Sequence, residues 1–170
     1  MRAQEDADIV ACLPSLRRYA RGLTSNRERA DDLVQDTLER AWGRFALWQR
    51  RGEVRAWMFG IMHNLFIDRL RTQRSTPEQS VGDALPESPD RATQSDRLEV
   101  RDLDRALQRL PPEQRAVLLL VGVEDMSYQE VADVLGVPMG TVMSRLSRGR
   151  ERLRAELEGR EVTPKLQRVK

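Results

Sequence analysis

The sequence predicts an all-α protein: two small helical domains joined by a flexible acidic linker, the second containing a helix-turn-helix. Apolar residues recur at three- and four-residue steps on both sides of a central segment, which is the period of amphipathic helices. That segment, residues 75–96, contains three prolines and almost no apolar residue at helical spacing, so it is not expected to pack. No convincing strand alternation appears elsewhere.

These observations set the domain boundaries. Residues 1–74 are expected to form the first domain, residues 97–160 the second domain, and residues 161–170 a short tail. The chain has 170 residues, of which 33% are charged and 5% aromatic, and its mean hydropathy is -0.61. Such a composition is typical of a soluble chain with modest helical cores.

Three helices sharing one core are predicted in the first domain. Pro14 is expected near the first turn of the first helix, and Gly22 at its end. The apolar positions of this helix are Leu13, Leu16, Tyr19, Ala20 and Leu23.

Asn26 can cap the second helix. The apolar stripe of that helix comprises Ala30, Leu33, Val34, Leu38, Ala41 and Trp42. A basic loop containing Gly43 and Gly52 leads to the third helix. The third helix is expected to bury Trp57, Met58, Ile61, Met62, Leu65, Phe66 and Leu70.

The second domain is predicted to start near Leu98 with a helix that ends at two prolines, Pro111 and Pro112, which can also begin the next helix. The inward positions of the first of these helices are Leu103, Ala106, Leu107 and Leu110. The run AVLLLVGV that follows is apolar all round, which predicts a helix at the centre of the domain.

A helix-turn-helix is predicted from residue 127 onward. Ser127 and Glu130 form an S-x-x-E capping box, which marks the start of a helix. Gly136 suits the left-handed turn at the end of that helix, and Pro138 can begin the next one. A short turn between two steeply crossing helices is the geometry of this motif.

The last helix of the motif is predicted to pack with one face and to leave another free. Its packing positions are Val142, Leu146, Gly149, Leu153 and Leu157. Its free face carries Thr141, Ser144, Arg145, Arg148 and Arg152. Arginine can form bidentate bonds to guanine or contact phosphate, and Ser and Thr can bind phosphates or base edges. The face therefore favours DNA binding, while the alternative is an ordinary solvated helix face.

The charge distribution supports a polyanionic partner. The net charge is only +2, but residues 44–74 contain seven arginines against two acids, and residues 138–160 contain six arginines against three acids. Residues 75–104 contain eight acids against three arginines. Two basic blocks therefore flank an acidic connector, and a local charge of this kind attracts nucleic acid.

The residues argue against an enzyme. The chain contains one histidine, His63, and one cysteine, Cys12, and no glycine-rich phosphate loop or metal-ligand cluster, so neither a cofactor nor a metal is expected. His63 is expected to be a satisfied or exposed side chain, and Cys12 a small, partly buried one. No apolar run approaches the roughly 18 residues of a membrane span, and no export signal is visible, so the protein is expected in the cytoplasm.

Three strings resemble the signatures of the extracytoplasmic-function sigma factors of bacterial RNA polymerase. They are DDLVQDTLERAW, RAWMFGIMHNLFIDRLR and GVPMGTVMSRLSRGRERLR, and they occur in the family's order with an acidic linker of suitable length between the second and the third. The resemblance covers residues 14–157, and three motifs in order are far more specific than one helix-turn-helix.

The resemblance implies a role for each module. The second helix would bind the clamp helices of the polymerase β-prime subunit through Asp31, Asp32, Gln35 and Asp36; the alternative is a solvated polar face. The third helix and the loop before it would open the promoter and bind the minus-10 strand through Arg44, Arg50, Arg51, Arg55, Trp57 and Asn64. Trp57 also fits a core position. The helix-turn-helix would read the minus-35 element through the five residues of its free face.

The resemblance also implies partners: the β and β-prime subunits of core polymerase, promoter DNA and an anti-sigma factor. The linker fits equally a segment threading the polymerase interior and a plain tether. Two other functions stay open at this point. One is a stand-alone helix-turn-helix regulator, although the first domain shows no ligand pocket, phosphoacceptor or dimerisation stripe. The other is a sigma mimic that sequesters an anti-sigma factor, although the intact basic faces argue against it.

Overall fold

A computed structural model describes residues 2–48, 52–75 and 94–159. Over these residues the chain forms seven α-helices and no strand. The first domain consists of α1 (Arg2–Thr24), α2 (Arg27–Arg44) and α3 (Val54–Ser75). The second domain consists of α4 (Gln94–Gln108), α5 (Pro112–Gly122), α6 (Tyr128–Leu135) and α7 (Met139–Leu157). The predicted all-α class is confirmed. Most of the linker and all of the tail lie outside the described residues.

The first helix is longer than the sequence predicted. It begins at Arg2, so Pro14 lies in its interior rather than in its first turn, and it continues past Gly22 to Thr24. Ile9 and Cys12 are buried, which extends the apolar stripe upstream of the proline and anchors that part of the helix in the core. The chain then turns at Ser25, whose φ is +52°.

Asn26 caps α2 as predicted, because its side-chain oxygen accepts a hydrogen bond from the Arg29 backbone nitrogen at 2.8 Å. The buried stripe of α2 ends at Ala41. Trp42 was expected in this stripe, but it is 50% exposed, and its indole Nε1 donates to Asp6 Oδ1 at 3.2 Å. The helical period carries position 42 beyond the buried face, so the tryptophan lies along the edge of α1 instead.

Five of the seven predicted core residues of α3 are buried, while Trp57 and Leu70 are half-buried. Phe59 and His63 are buried as well, although the predicted stripe did not include them. Tyr19 of α1 contacts both residues, and its ring packs edge-on against Phe59 at 5.2 Å. The third helix also packs against α6 of the second domain. The helix is therefore covered on two sides.

In the second domain, α5 is the central helix, as predicted from its apolar sequence. Pro112 occupies its first turn, and Ala116, Val117, Leu119 and Leu120 are buried. The prediction was wrong for Leu103 of α4 and for Leu157 of α7, which are exposed. Leu157 is the last residue of α7, and Leu103 lies one turn before Ala106, the residue of α4 that is buried. The described part of the chain supplies no helix that covers either leucine.

The residues predicted to begin and end the helices of the helix-turn-helix have these roles in the structure. Both halves of the capping box are formed, since the Ser127 hydroxyl accepts from the Glu130 nitrogen at 3.2 Å and the Glu130 carboxylate accepts from the Ser127 nitrogen at 2.6 Å. Hydrogen bonds from the Ser127 backbone and, to a smaller extent, the Ser127 side chain to the carboxylate lower the pKa of Glu130. Gly136 adopts the left-handed conformation, with φ +65° and ψ +37°, and Pro138 precedes α7.

The two domains pack together around one continuous core, which the sequence pattern did not predict. Gly22 of α1 lies so close to Leu119 of α5 that a Cβ at this glycine would be 2.7 Å from two methyl carbons of the leucine. Gly60 of α3 approaches the backbone of Val134 in α6. Across the residues that the structure describes, no helix is both long enough and apolar enough to span a membrane.

Candidate functional surfaces

The outer side of α2 carries the acidic face, defined as Asp31, Asp32, Gln35 and Asp36. All four side chains are exposed, because the opposite side of α2 is buried against α1 and α3. Arg69 of α3 forms an ion pair with Asp36 at one edge of this face. The sequence-predicted set is therefore assembled on one surface that a partner can reach.

An aromatic pocket lies between the end of α2 and the start of α3. Trp48 and Trp57 stack with ring centroids 5.3 Å apart and planes inclined by 24°, and Phe45 packs edge-on against Trp57 at 5.8 Å. The pocket encloses about 570 Å³, and Arg44 and Asn64 contribute to its lining. It combines aromatic surface, an amide and a positive charge in one concavity.

Three of the residues predicted for minus-10 binding line this pocket: Arg44, Trp57 and Asn64. Trp57 is half-buried and packs against the core, and it also lines the cavity. Trp48 also lines the pocket. From the sequence it is ambiguous between a core position and a base-stacking one, as Trp57 is, and the predicted minus-10 set did not include it. Arg50 and Arg51 lie outside the described residues.

Arg55 does not line the pocket. Its guanidinium group lies over the Phe59 ring, 5.4 Å from the centroid, and reaches the second domain. There its Nη2 donates to the backbone oxygen of Glu124 at 2.6 Å and to the Glu124 carboxylate at 3.1 Å. In this structure Arg55 is therefore committed to the domain interface.

The opposite wall of the aromatic pocket belongs to the second domain. Glu130, Asp133 and Val134 of α6 complete its lining, and Glu53 contributes a further carboxylate. A negatively charged strand entering the pocket would meet these carboxylates. As a result, the pocket holds opposite charges on its two sides.

The predicted DNA-binding residues of α7 differ in exposure. Arg148 is exposed, whereas Thr141, Ser144, Arg145 and Arg152 are half-buried. The Ser144 hydroxyl donates to the Thr141 carbonyl at 3.1 Å. The residues share one side of the helix, as predicted, but only Arg148 is fully open to solvent there.

A second, more exposed face of α7 was missed. Met143 is 50% exposed, and Ser147, Arg150 and Arg154 follow it at helical spacing. With Tyr128 of α6 they line a groove of about 420 Å³. The spacing of residues 143, 147, 150 and 154 was the signal that could have identified this face.

His63 is buried within the domain interface. Burial, together with the positive charge of Arg145, lowers the pKa of His63 to about 4, whereas Glu113 opposes the shift. Its Nδ1 is 3.5 Å from the Tyr19 hydroxyl, and burial raises the pKa of Tyr19. Cys12 is buried, and its thiol donates to the Asp8 carbonyl.

Both domains match known families. Residues 9–63 match the Sigma2 domain of PhyR, and residues 101–153 match region 4 of sigma-70. The ECF RNA polymerase sigma factor EcfG of Rhodopseudomonas palustris is 39% identical over 150 residues, which cover 88% of this chain and 83% of that protein. The ECF sigma factor SigM of Mycobacterium tuberculosis is 36% identical over 81% of this chain and 69% of its own length.

Solved structures agree with these matches. The sigma factor RpoE of Bartonella quintana, in complex with the anti-sigma factor NepR, is 32% identical with a TM-score of 0.77, covering 91% of this chain and 97% of its own. CnrH, in complex with the cytosolic domain of CnrY, is 27% identical with a TM-score of 0.68, over 90% and 86% of the two chains. The anti-anti-sigma factor PhyR of Bartonella quintana shares the fold at 20% identity. This chain belongs to the family of extracytoplasmic-function RNA polymerase sigma factors.

Proposed function

We propose that this chain directs bacterial core RNA polymerase to specific promoters and starts transcription there through three separate surfaces. The observation that carries the proposal is that one chain presents an exposed acidic face, an aromatic pocket beside an arginine, and a helix-turn-helix with a basic second helix. Each surface suits one of the contacts that an initiation factor must make. The protein acts in the cytoplasm, where these partners are.

The acidic face is assigned to the β-prime subunit of core polymerase. Its residues are exposed, and the apolar stripe on the opposite side of α2 fixes their direction. A cluster of exposed carboxylates gives little internal stability, and it complements a basic surface on a partner. Association through this face is expected to weaken at high salt.

The aromatic pocket is assigned to the minus-10 strand. Sequence-tolerant binding of single strands relies on aromatic stacking beside a positive groove, and an extruded base needs a pocket whose contacts offset the cost of unstacking. Trp48, Trp57 and Asn64 supply stacking surface and an amide that can read a base edge. Arg44, with Arg50 and Arg51 of the loop, supplies attraction for the phosphates.

The helix-turn-helix is assigned to the minus-35 element. Arg148 is the most accessible of the predicted residues, while Thr141, Ser144, Arg145 and Arg152 border the same side of α7. A single helix-turn-helix binds weakly, so the linker and the polymerase must hold both domains near their promoter elements. An anti-sigma factor is the expected negative regulator, since the sigma factor RpoE was solved in complex with the anti-sigma factor NepR.

Run-off transcription with purified core polymerase on a pool of promoter fragments tests the proposal. Asp32→Arg and Arg148→Glu are each expected to abolish specific transcripts, because they reverse a charge on an assigned surface. Asp102→Arg and Arg17→Glu are matched controls, since both residues are exposed on helices that carry none of the assigned surfaces.

Specific transcripts that survive both Asp32→Arg and Arg148→Glu would show that the assigned surfaces are wrong. Promoter binding with no transcripts from the unaltered chain would favour a stand-alone regulator. Binding of an anti-sigma factor, with neither promoter binding nor transcripts, would favour a sigma mimic.

A further inference from the structure

A separate concavity lies where the end of α1 meets α2 and α3, and we call it the arginine pocket. Its volume is about 200 Å³. Guanidinium groups and apolar surface both contribute to its lining, and none of the described residues that line it is acidic. The residues that define it are Arg29, Arg69, Arg115, Leu33, Phe66 and Leu70.

Helical spacing brings the first-domain part of this lining together. Arg29 and Leu33 are one turn apart on α2, and Arg69 and Leu70 follow Phe66 by one turn on α3. Leu33 and Phe66 are buried in the core that joins α2 and α3. The pocket is therefore formed by packed helices, and it exists before any ligand arrives.

Arg115 of α5 is a buried cation that makes no ion pair with the described residues. It is 7% exposed, and its guanidinium group donates to four backbone carbonyl groups at 2.8 to 3.0 Å. These bonds occupy most of its donors but leave its charge without a neutralising partner in contact. Burial lowers the pKa of Arg115, although the charge of Asp104 opposes the shift. Because a buried charge needs compensation, an anion beside Arg115 would be stabilised.

The other two arginines of the pocket can be reached from solvent. The Arg29 side chain is exposed and forms no ion pair with any residue that the structure describes. Arg69 is half-buried and pairs with Asp36 through Nη2, and its Nη1 is 3.5 Å from the Arg29 carbonyl oxygen. Further N–H groups of both side chains can therefore donate to a ligand. Guanidinium groups bind carboxylate and phosphate oxygens through paired hydrogen bonds.

The volume of the pocket limits the size of its ligand. A cavity of about 150 Å³ can hold one benzene ring. The arginine pocket is somewhat larger, so a ring of that size would leave room for one anionic group. Since ligand pockets of proteins usually enclose at least about 300 Å³, the ligand must be at the small end of the range.

We propose that the arginine pocket binds a small organic anion, whose carboxylate or phosphate group pairs with the three arginines and whose aromatic or branched apolar body packs against Phe66 and the two leucines. No described residue of the acidic face, the aromatic pocket or the minus-35 set lines this site. The proposal therefore goes beyond the proposed function and does not rest on it.

NMR titration of the ¹⁵N-labelled full chain with matched probes tests the chemistry. Benzoate and phenyl phosphate carry the two anionic groups on the same ring, while benzamide is the uncharged analogue of benzoate and benzamidine the cationic one. At least one of the two anions is expected to saturate the chain with a Kd of about 1 mM or lower. Benzamide and benzamidine are expected to bind at least about tenfold more weakly, because they lose the charge-assisted bonds.

The anion that binds more tightly identifies the preferred group, carboxylate or phosphate. Failure of both anions to saturate the chain at about 10 mM, or equal binding of benzamide, would overturn the proposal. Acetate and inorganic phosphate lack the apolar body and are expected to bind at least about tenfold more weakly than the ring compounds. Equal affinity of these plain anions would show that the apolar surface takes no part in binding.

Two substitutions test the place of binding by different physical means. Arg29→Gln removes an accessible cation and is expected to raise the Kd about tenfold. Leu70→Trp fills the apolar part of the pocket, keeps all three arginines and is expected to abolish binding. Arg71→Gln is the matched control, because it removes the same charge from an exposed position of α3 that does not line the pocket.

Arg71→Gln is expected to leave the Kd unaltered, and circular dichroism verifies that each variant keeps its helix content. If Leu70→Trp loses helix content, the comparison of Arg29→Gln with Arg71→Gln decides alone. Equal Kd values for these two glutamine variants would overturn the assignment of the anion to this pocket.

The same spectra locate the ligand on the chain. Chemical-shift changes are expected to concentrate in the amides of residues 23–33 and 66–73 and in the Nε–H signals of Arg29 and Arg69. The arginine-rich helix α7 offers an alternative surface for anions. Shift changes concentrated in α7 would show a general attraction to its exposed positive charges and would overturn the proposal.

Discussion

Arg55 of α3 and Glu124 after α5 meet across the domain interface, where one guanidinium nitrogen lies 2.6 Å from the Glu124 carbonyl and 3.1 Å from its carboxylate. A residue that the family resemblance assigns to DNA thus serves an intramolecular contact in the isolated chain. The interface contact and the predicted DNA contact exclude each other, because one guanidinium cannot bind both a buried carboxylate and a phosphate in this position.

Arg55→Ala is expected to lower the free energy of unfolding by about 1 to 3 kcal/mol, since it removes charge-assisted bonds from a buried carboxylate. Arg18 still binds the Glu124 carboxylate in this variant, so part of the charge remains paired. Urea denaturation followed by circular dichroism measures the change. Arg17→Ala removes an exposed arginine of α1 and is expected to stay within about 0.5 kcal/mol of the unaltered chain. Equal losses for both variants would contradict the interface role.

His63 makes stability depend on pH. Its folded-state pKa is about 4, below the ordinary 6.5, so the unfolded chain binds the proton more readily. The stability contributed by neutral His63 is therefore complete above about pH 6.5 and is lost as the pH falls toward 4. The total loss is about 3 kcal/mol, from about 1.4 kcal/mol per pKa unit.

Urea denaturation between pH 7.5 and pH 4.5 of the unaltered chain and of His63→Leu checks this dependence. The difference between the two curves isolates the histidine from the carboxylates, which also titrate in acid. The unaltered chain should lose stability more steeply than the variant between pH 6.5 and pH 4.5. Parallel curves would show that His63 is protonated with its ordinary pKa.

Ser127→Ala is expected to lower the free energy of unfolding by about 1 kcal/mol, because one backbone donor at the start of α6 loses its acceptor. The same denaturation experiment measures the loss. Ser147→Ala, at an exposed position within α7, serves as the control and should change stability by less than about 0.5 kcal/mol. The pKa of Glu130 should rise only part of the way toward its ordinary value in Ser127→Ala, because the side-chain hydrogen bond is lost while the Ser127 backbone N–H, the larger cause, remains. Carboxylate NMR titration can detect this rise.

Two glycines with equally open surroundings give opposite predictions. Gly136→Ala is expected to destabilise the chain by about 1 to 2 kcal/mol, because its φ of +65° strains any residue that carries a Cβ. Gly140→Ala, in the first turn of α7, is expected to be neutral or to stabilise by up to about 1 kcal/mol. Shifts of the same sign in thermal denaturation would show that the turn imposes no special conformation.

Trp48→Ala is expected to weaken binding of a minus-10 single strand to the holoenzyme by about 1 to 3 kcal/mol, the usual value of one base stacked on an aromatic ring. A competition assay with oligonucleotides on the assembled holoenzyme measures the change. Leu47→Ala removes an exposed apolar neighbour and should leave the affinity unaltered. Equal affinity of Trp48→Ala and the unaltered holoenzyme would remove Trp48 from the proposed strand site.

Local signals in the sequence predicted most of the helices and their ends. Asn26, the pair Ser127 and Glu130, and Gly136 each act through backbone groups a few residues away, so their roles can be read from the neighbouring sequence alone. The acidic face follows from helical periodicity for the same reason. The length of α1 could not be predicted from the local sequence. A proline in the middle of a helix is tolerated only where tertiary burial compensates for it, and burial depends on distant parts of the chain.

The domain interface could not be predicted, because its determinants are far apart in the chain. Glu124 and Arg18 are 106 positions apart. Neither residue breaks the hydrophobic periodicity of its own segment, so nothing near it in the sequence indicates a contact. The same holds for Phe59 and His63, which appear beside the apolar stripe of α3 and are buried in the assembled chain, where Tyr19 of α1 contacts both. Side-chain exposure in a solitary helix differs from exposure in the assembled chain.

The contact between Gly22 and Leu119 has a consequence for the protein outside any complex. A chain whose domains have come apart presents Leu119 and its apolar neighbours to water, and such a surface adheres to other unfolded or opened chains. Separation of the two domains is therefore expected to be coupled to capture by a partner that shields this surface. Without such a partner, the packed arrangement keeps Leu119 buried, which protects the chain from aggregation through this surface.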